Sequence, residues 1–441
     1  MFHRVLLMVS FYFPPCGGVA VQRTVKFAKY LAAFGWRPII LTEDERAFAH
    51  LPQDGGLMEE LPDDVLVLRT CNSFRAGLFR WLARLRLKWV VDFLTPVDMH
   101  YFWARAAYRM ARAAVSEHEI SAVYTTSGPP CAHLVGLWLH RTHRVPWIAD
   151  FRDPWTQWHS YSPRTAIHAH IDTRLERKIL ENASIVIANT EGSRRLLLSK
   201  YGERFGDKTV VIPNGYDEAD FACVKPEPRD PNKLRLVYTG SVYGTYSDPN
   251  NKEFPRVLFE ALHRLRQAEG DHLPLEITFA GTFSPENQRV LTDLNLLGNV
   301  KVIGHVSHRA AIEMAAGADA GLLVMAGWPG NMVQAKLYEL IRAARPILAL
   351  VPEGDARRIL SSVGNPYVAD PDDVEGVLAE LRRLIADWRS GPLASLQLEE
   401  AQFSRYDRRS LTRRLVDCLS RIVQTDTATC AVTTEGGRVG G

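Results

Sequence analysis

Short apolar runs alternate with helix-length amphipathic stretches along most of this chain, and they do so in two separate series. In the first, a run at 4–10 precedes a helical pattern at 19–34 and a second run at 37–42. A helical pattern at 101–116, a run at 122–126, a helical pattern at 131–142 and runs at 146–150, 184–188 and 210–212 follow. Two parallel strands need a crossover between them, and a helix supplies it, so this repetition builds a parallel sheet with helices on its faces. The second series has runs at 234–239, 275–280, 300–303, 320–324 and 346–350. Between the two, the chain is rich in Pro, Asp, Glu and Asn and has no apolar period, as a linker would be. The expected fold class is therefore α/β, with Rossmann-like doubly wound domains at 1–213 and 234–400 and a linker at 214–233.

A length of 441 residues is more than one core usually supports, which agrees with two folding units. With 53 Lys and Arg against 50 Asp and Glu, the chain as a whole has no electrostatic footprint for nucleic acid. The six cysteines show neither CxxC nor Cys/His metal spacing, and they read as free thiols in a reducing cytoplasm. The apolar run that opens the chain is shorter than a secretory core and leads into a Pro/Gly loop, so it reads as a buried strand. No stretch reaches the ~20 apolar residues of a spanning helix. A further helical pattern occupies 401–424, and the small polar residues of 425–441 suggest a disordered tail.

Five blocks carry the chemistry. Gly17-Gly18 lies between the first strand and the first helix, where glycines let the chain turn and the helix N-terminus can face a phosphate or sugar oxygen. The same pair also fits a plain tight turn, and it lacks the GxGxxG spacing of a dinucleotide fingerprint, which disfavours a dehydrogenase. The second block, around Ser127, His133, Asp150-Phe-Arg152-Asp153-Pro-Trp155 and Gln157, follows two predicted strands at their carboxyl ends, where doubly wound sheets hold ligands. Asp150 is expected as an acceptor-side contact or proton acceptor. Arg152 and Asp153 are candidate catalytic groups or a pair bracing the loop, and His133 is a ligand contact or a packing histidine. Asn189 to Ser193 and Pro213-Asn214-Gly215 form the third block, a turn and an exit to the linker. Fourth, Gly240-Ser241 ends a strand, and its backbone N–H groups are expected to be able to bind phosphate. Lys336 and Glu339 then stand three apart at a helix start, after Gly330-Asn331-Met332. A cation suits a diphosphate and a carboxylate suits a ribose diol, although such a pair is also common on a solvated surface.

Together with Phe403-Ser404-Arg405 and Leu411-Thr412, these blocks resemble glycosyltransferase family 4, in the subgroup with a DFRDPW segment, over about residues 1–424. The resemblance implies a GT-B fold: two Rossmann-like domains facing a cleft, with a C-terminal helix at 401–424 returning to the first domain. It implies an enzyme that moves a sugar from a nucleotide-diphosphate donor to a glycan or lipid-linked acceptor, with retention of configuration and no metal or other cofactor. Donor contacts would come from Gly17, Gly18, Gly240, Ser241, Asn331, Met332, Lys336 and Glu339. Acceptor contacts would come from His133, Asp150 and Gln157, with Asp150, Arg152, Asp153 and Lys336 as the catalytic set. This chain departs from the family pattern in two places: Ser241 stands where many members have Arg, and Asn331 where the first Glu of E-x7-E belongs. A nucleotide-sugar epimerase of the same fold, or a non-catalytic nucleotide-sugar or partner-binding module, are the alternatives.

One segment lies outside these blocks. Between Val65 and Val91 there is no acidic residue, and a helix opening at Phe74 and closing at Val90 would carry Leu78, Trp81, Leu82, Leu85 and Trp89 on one stripe and Arg80, Arg84 and Lys88 on another. That pattern fits either an interfacial helix on an anionic membrane surface, at the inner face of the plasma membrane, or a helix packed on the first domain.

Overall fold

The computed structural model describes residues 4–51, 53–71, 97–98, 100–222, 224, 230–242, 244 and 255–435. The basic segment at 74–90 and Lys252 lie outside the described residues. The chain divides into two units, Met1–Pro213 with Arg408–Gly441, and Asn214–Asp407.

The first unit is built on strands β1 (Arg4–Val9), β2 (Trp36–Glu43), β3 (Leu66–Thr70), β4 (Ala122–Thr126), β5 (Trp147–Phe151), β6 (Ile185–Ala188) and β7 (Thr209–Val211). They form one parallel seven-stranded sheet in the order β3-β2-β1-β4-β5-β6-β7. Central strands such as Leu6-Leu7-Met8-Val9 and Ile185-Val186-Ile187-Ala188 are buried throughout, as a sheet covered on both faces requires. The order reverses between β1 and β4, so their carboxyl ends open a crevice at a topological switch point. Gly18 caps the Val19–Leu31 helix at φ 110°, a left-handed backbone that glycine adopts at low cost, and its carbonyl accepts from Val21 and Gln22 N. The Asn189–Ser193 block is a helix cap: Thr190 Oγ1 accepts from Ser193 N at 2.9 Å and starts the Glu191–Tyr201 helix.

The second unit carries β8 (Leu234–Thr239), β9 (Leu275–Ala280), β10 (Val300–Val302), β11 (Ala320–Val324), β12 (Ile347–Leu350) and β13 (Val368–Ala369). Its parallel sheet has the order β10-β9-β8-β11-β12-β13, with the reversal between β8 and β11. Alternate residues feed two cores. Leu234, Leu236 and Tyr238 pack with Leu258, Leu262 and Leu381, whereas Val237 and Leu323 pack with Leu337 and Ile341.

Three boundaries differ from those expected. Residues 214–222 are not a free linker: Glu218–Phe221 is helical, and Tyr216 stacks on Phe403 with ring centroids 4.8 Å apart, inside the second unit's core. The helix that rejoins the first unit starts at Arg408, because Phe403 and Tyr406 stay in the second unit's core while Leu411, Leu415 and Leu419 belong to the first. That helix runs Arg408–Glu435, past the position where composition suggested a disordered tail. Between Thr425 and Glu435 there is no Gly or Pro to stop it before Gly436. Among the described residues no helix is long and apolar enough to cross a membrane, and Cys16, Cys71, Cys131 and Cys418 are free thiols.

Candidate active site

In the first unit, Asp150 sits one residue before the end of β5 and turns inward. It is fully buried, and Arg23 of the Val19–Leu31 helix, itself fully buried, grips it with Nε at 2.7 Å from Oδ2 and Nη2 at 3.1 Å from Oδ1. Tyr124 Oη donates to the same Oδ2, and Thr126 Oγ1 lies 3.4 Å away. Arg23 also donates to the carbonyls of Pro213 (2.8 Å) and Ile212 (2.9 Å), so one ion pair ties β5, the first helix and the end of the domain together. Burial disfavours the Arg23 charge, but the Asp150 carboxylate beside it outweighs that and raises its pKa. Burial together with Asp150 pushes the Tyr124 phenol well up. This corrects the expectation for Asp150: with its lone pairs engaged and no solvent contact, it braces the domain and is not placed to touch an acceptor or take its proton. Arg23 was not singled out from the sequence. The available signal was an arginine between Val21 and Val25 on a helix face that is otherwise buried.

His133 is likewise a core residue. It is fully buried, its Nδ1 lies 2.8 Å from Thr125 Oγ1, and its ring stacks on Phe151 at 4.7 Å. Burial lowers its pKa to about 4, so it is neutral at pH 7. Of the two readings open for it, packing is the one the coordinates carry, and the expected acceptor contact is corrected accordingly. Arg152 and Asp153 pair with each other, Nε to Oδ2 at 2.9 Å, in the loop that leaves β5. The Arg152 guanidinium lies over Gly128, where no Cβ would fit. The Asp153 N–H donates to Ser127 Oγ at 3.3 Å, joining the loops after β4 and β5. Gln157 is in the next turn, and neither side-chain amide atom has a partner although both are shielded from solvent. Gly17 and Gly18 lie in the loop between β1 and the first helix, and Gly18 is exposed with open space where a side chain would be.

The second unit gathers its candidates at its own switch point. Gly240 and Ser241 follow β8, Gly240 has φ 130°, and its N–H donates to the Ala280 carbonyl at 2.8 Å, so the expected phosphate contact through the Gly240 N–H is corrected. Lys336, first residue of the Lys336–Arg342 helix after β11, brings Nζ to 2.7 Å from where a Gly240 Cβ would stand and 3.7 Å from the Tyr238 ring centroid. The turn and the lysine are therefore neighbours, a cation over a backbone bend open at the side where glycine has no Cβ. Glu339 is on the same helix, but its partner is His308: Nε2 lies 2.9 Å from Oε1, with both side chains less than a fifth exposed. His308 opens the His308–Gly317 helix and also approaches Asp220 at 3.8 Å. As a helix-start residue with no motif around it, His308 carries no signal in the sequence. Asn331 and Met332 sit in the loop between β11 and that helix, Met332 nearly buried. Gly330 fixes the loop, since its carbonyl accepts from Asp355 N at 2.7 Å and a Cβ there would collide with the Glu353 carbonyl.

Residues 17–215 match the glycosyl transferase 4-like domain family. No curated protein matches the chain. Among solved structures, the fold is similar to the Anabaena protein HepE in complex with UDP and glucose, at TM-score 0.64 and 18% identity over 95% of this chain and 100% of that one. It is also similar to sucrose-phosphate synthase from Thermosynechococcus elongatus (TM-score 0.59, 14% identity, 99% and 100% covered). A putative UDP-N-acetylglucosamine 2-epimerase from Listeria monocytogenes matches at TM-score 0.55 and 10% identity, with 93% and 94% covered. At these identities the likenesses speak for the fold, and the matched domain speaks for the family. Residues 17–215 are thus a glycosyl transferase 4-like domain, in a chain whose two parallel-sheet Rossmann-like units have the GT-B fold.

Proposed function

We propose that this glycosyltransferase takes its sugar from a nucleoside diphosphate donor held by the second domain and passes it, with retention, to a glycan or lipid-linked acceptor held by the first, in polysaccharide or glycoconjugate synthesis. The observation that carries the donor half is the meeting of Lys336 Nζ with the Gly240-Ser241 turn at the β8/β11 switch point, with Glu339 one helical turn on. A diphosphate needs a cation and backbone N–H groups, and a ribose needs a carboxylate acceptor. HepE, whose fold this chain shares, is described with UDP and with UDP-glucose, which supports a uridine donor as the first to test. Lys336 and the turn would stabilise the negative charge that grows on the departing diphosphate. No divalent metal enters this scheme, so chelation by EDTA is expected to leave turnover unchanged.

The test is acceptor-dependent release of nucleoside diphosphate from a panel of nucleotide sugars, with the anomer of the product read by NMR. Transfer with retained configuration is expected. Release of an epimerised free donor without acceptor would favour the epimerase instead, and donor binding without any turnover would favour a binding module, the reading to which Asn331 in place of the family Glu points.

A further inference from the structure

The first domain contains a cavity of about 380 Å³ that the donor chemistry does not use. Its volume suits a small ligand. It is bounded by the loops after β4 and β5 and by the Ala166–Asn182 helix. One wall is aromatic, made of Trp155 and Trp158 of the segment after β5 and of Tyr161. Three carboxylates, Asp98, Asp153 and Asp172, line it beside a single arginine, Arg164, and His168. Two of them are tied to the protein: Asp98 accepts from His100 N and Cys131 N at 2.7 and 3.1 Å, and Asp153 pairs with Arg152. Asp172 is different. It is 3% exposed, its Oδ2 accepts from Tyr161 Oη at 2.7 Å, and its Oδ1 has no hydrogen-bond partner among the described residues. A buried carboxylate oxygen in this state takes a hydrogen-bond donor, such as a hydroxyl or an amine, and repels an anion.

We propose that this cavity receives an uncharged, hydroxyl-bearing sugar ring, the acceptor's glycosyl residue, stacking its C–H face on the Trp155, Trp158 and Tyr161 wall and donating a hydroxyl to Asp172. The assignment to the acceptor rests on the transferase reading above; the binding of a sugar ring does not. Aromatic rings offer an apolar body with an electron-rich face to the C–H groups of a pyranose. With Asp153 paired to Arg152, Asp98 and Asp172 still outnumber Arg164, and like charge in a shielded site disfavours a uronic acid or a phosphorylated sugar. An ammonium would satisfy Asp172 equally well, but it would leave the aromatic wall without a ring to cover it.

Saturation-transfer NMR on the full-length chain tests this with methyl glycosides as probes: β-glucoside, β-galactoside, α-mannoside, N-acetyl-β-glucosaminide and β-glucuronide, with methylammonium as the cation control. At least one neutral glycoside is expected to bind, with the glucuronide at least fivefold weaker and methylammonium without effect. Asp172→Asn and Trp158→Ala should each weaken that glycoside at least tenfold, while UDP affinity by calorimetry is unchanged. Trp158→Ala decides the matter if the Asp172 variant does not fold. Failure of every neutral glycoside, equal binding of the glucuronide, displacement by methylammonium, or unchanged affinity in both folded variants would each overturn the proposal. Loss of UDP binding alone would count against the donor reading and leave this one standing.

Discussion

Asp150 and Arg23 form an ion pair in which both side chains are fully closed to solvent. Removing one partner strands the other charge in a site with no water, which costs about 3–5 kcal/mol. Asp150→Ala is thus expected to lower unfolding stability by about that amount in urea melts; a loss below about 1 kcal/mol would show that the pair is relaxed in solution. His133 makes a second, opposite prediction. Its folded pKa of about 4 lies below its unfolded value of about 6.5, so between these pH values the unfolded chain binds a proton that the folded chain refuses. Stability therefore falls as pH drops from about 6.5 to about 4, at up to about 1.4 kcal/mol per unit from this group. The carboxyls of Asp98, Asp172 and Glu176, raised mainly by burial, act in the other direction, so the group must be isolated by difference. His133→Phe should lose less stability than the parent between pH 7 and pH 4.5; parallel curves would contradict the assignment. The DFRDPW segment was legible as important, but the role of Asp150 was not. The strand alternation that turns it inward could be read, whereas its partner 127 positions earlier in the chain could not.

Among the elements, β4, β8, β9 and β11 begin and end where the apolar runs placed them, because strands of a covered sheet are mostly apolar, with Arg235 and Glu276 the charged exceptions here. β3 and β13 escaped notice for the converse reason. β3, at one edge of its sheet, is mostly half-exposed, and β13 is two residues long at the edge of the other. The need for glycine in the turn after β8 was legible, and its backbone explains why: at φ 130°, with Lys336 Nζ 2.7 Å from the place of a Cβ, only glycine fits without displacing the lysine. Gly240→Ala is expected to weaken nucleotide binding at least tenfold by calorimetry and to lower stability by about 1–2 kcal/mol, the cost of a left-handed backbone with a side chain. Unchanged affinity would place the diphosphate elsewhere. The pairing of Glu339 with His308 lay beyond the sequence, since it joins two helices whose mutual approach only the sheet order determines. His308→Ala would remove one hydrogen-bond partner of Glu339 and is expected to weaken nucleotide binding by threefold or more.

At the scale of the molecule, two domains of the same architecture were legible from the two series of strands, and their parallel, doubly wound sheets follow from it. The returning helix was legible too, but not its start at Arg408, which is set by which core Phe403 and Leu411 each join. The basic stretch at 74–90 predicts binding to vesicles rich in anionic lipid at low salt, with release as salt screens the charges. Failure of such vesicles to pellet the protein would remove the membrane from the account. The central claim is that the second domain binds a nucleoside diphosphate through Lys336, the Gly240 turn and Glu339. Calorimetry of UDP, GDP and ADP against the parent chain and Glu339→Ala tests it most directly: one nucleotide should bind the parent, and the variant should bind it more than tenfold more weakly. Equal affinity in the two, or no binding of any nucleoside diphosphate to the parent, would contradict it.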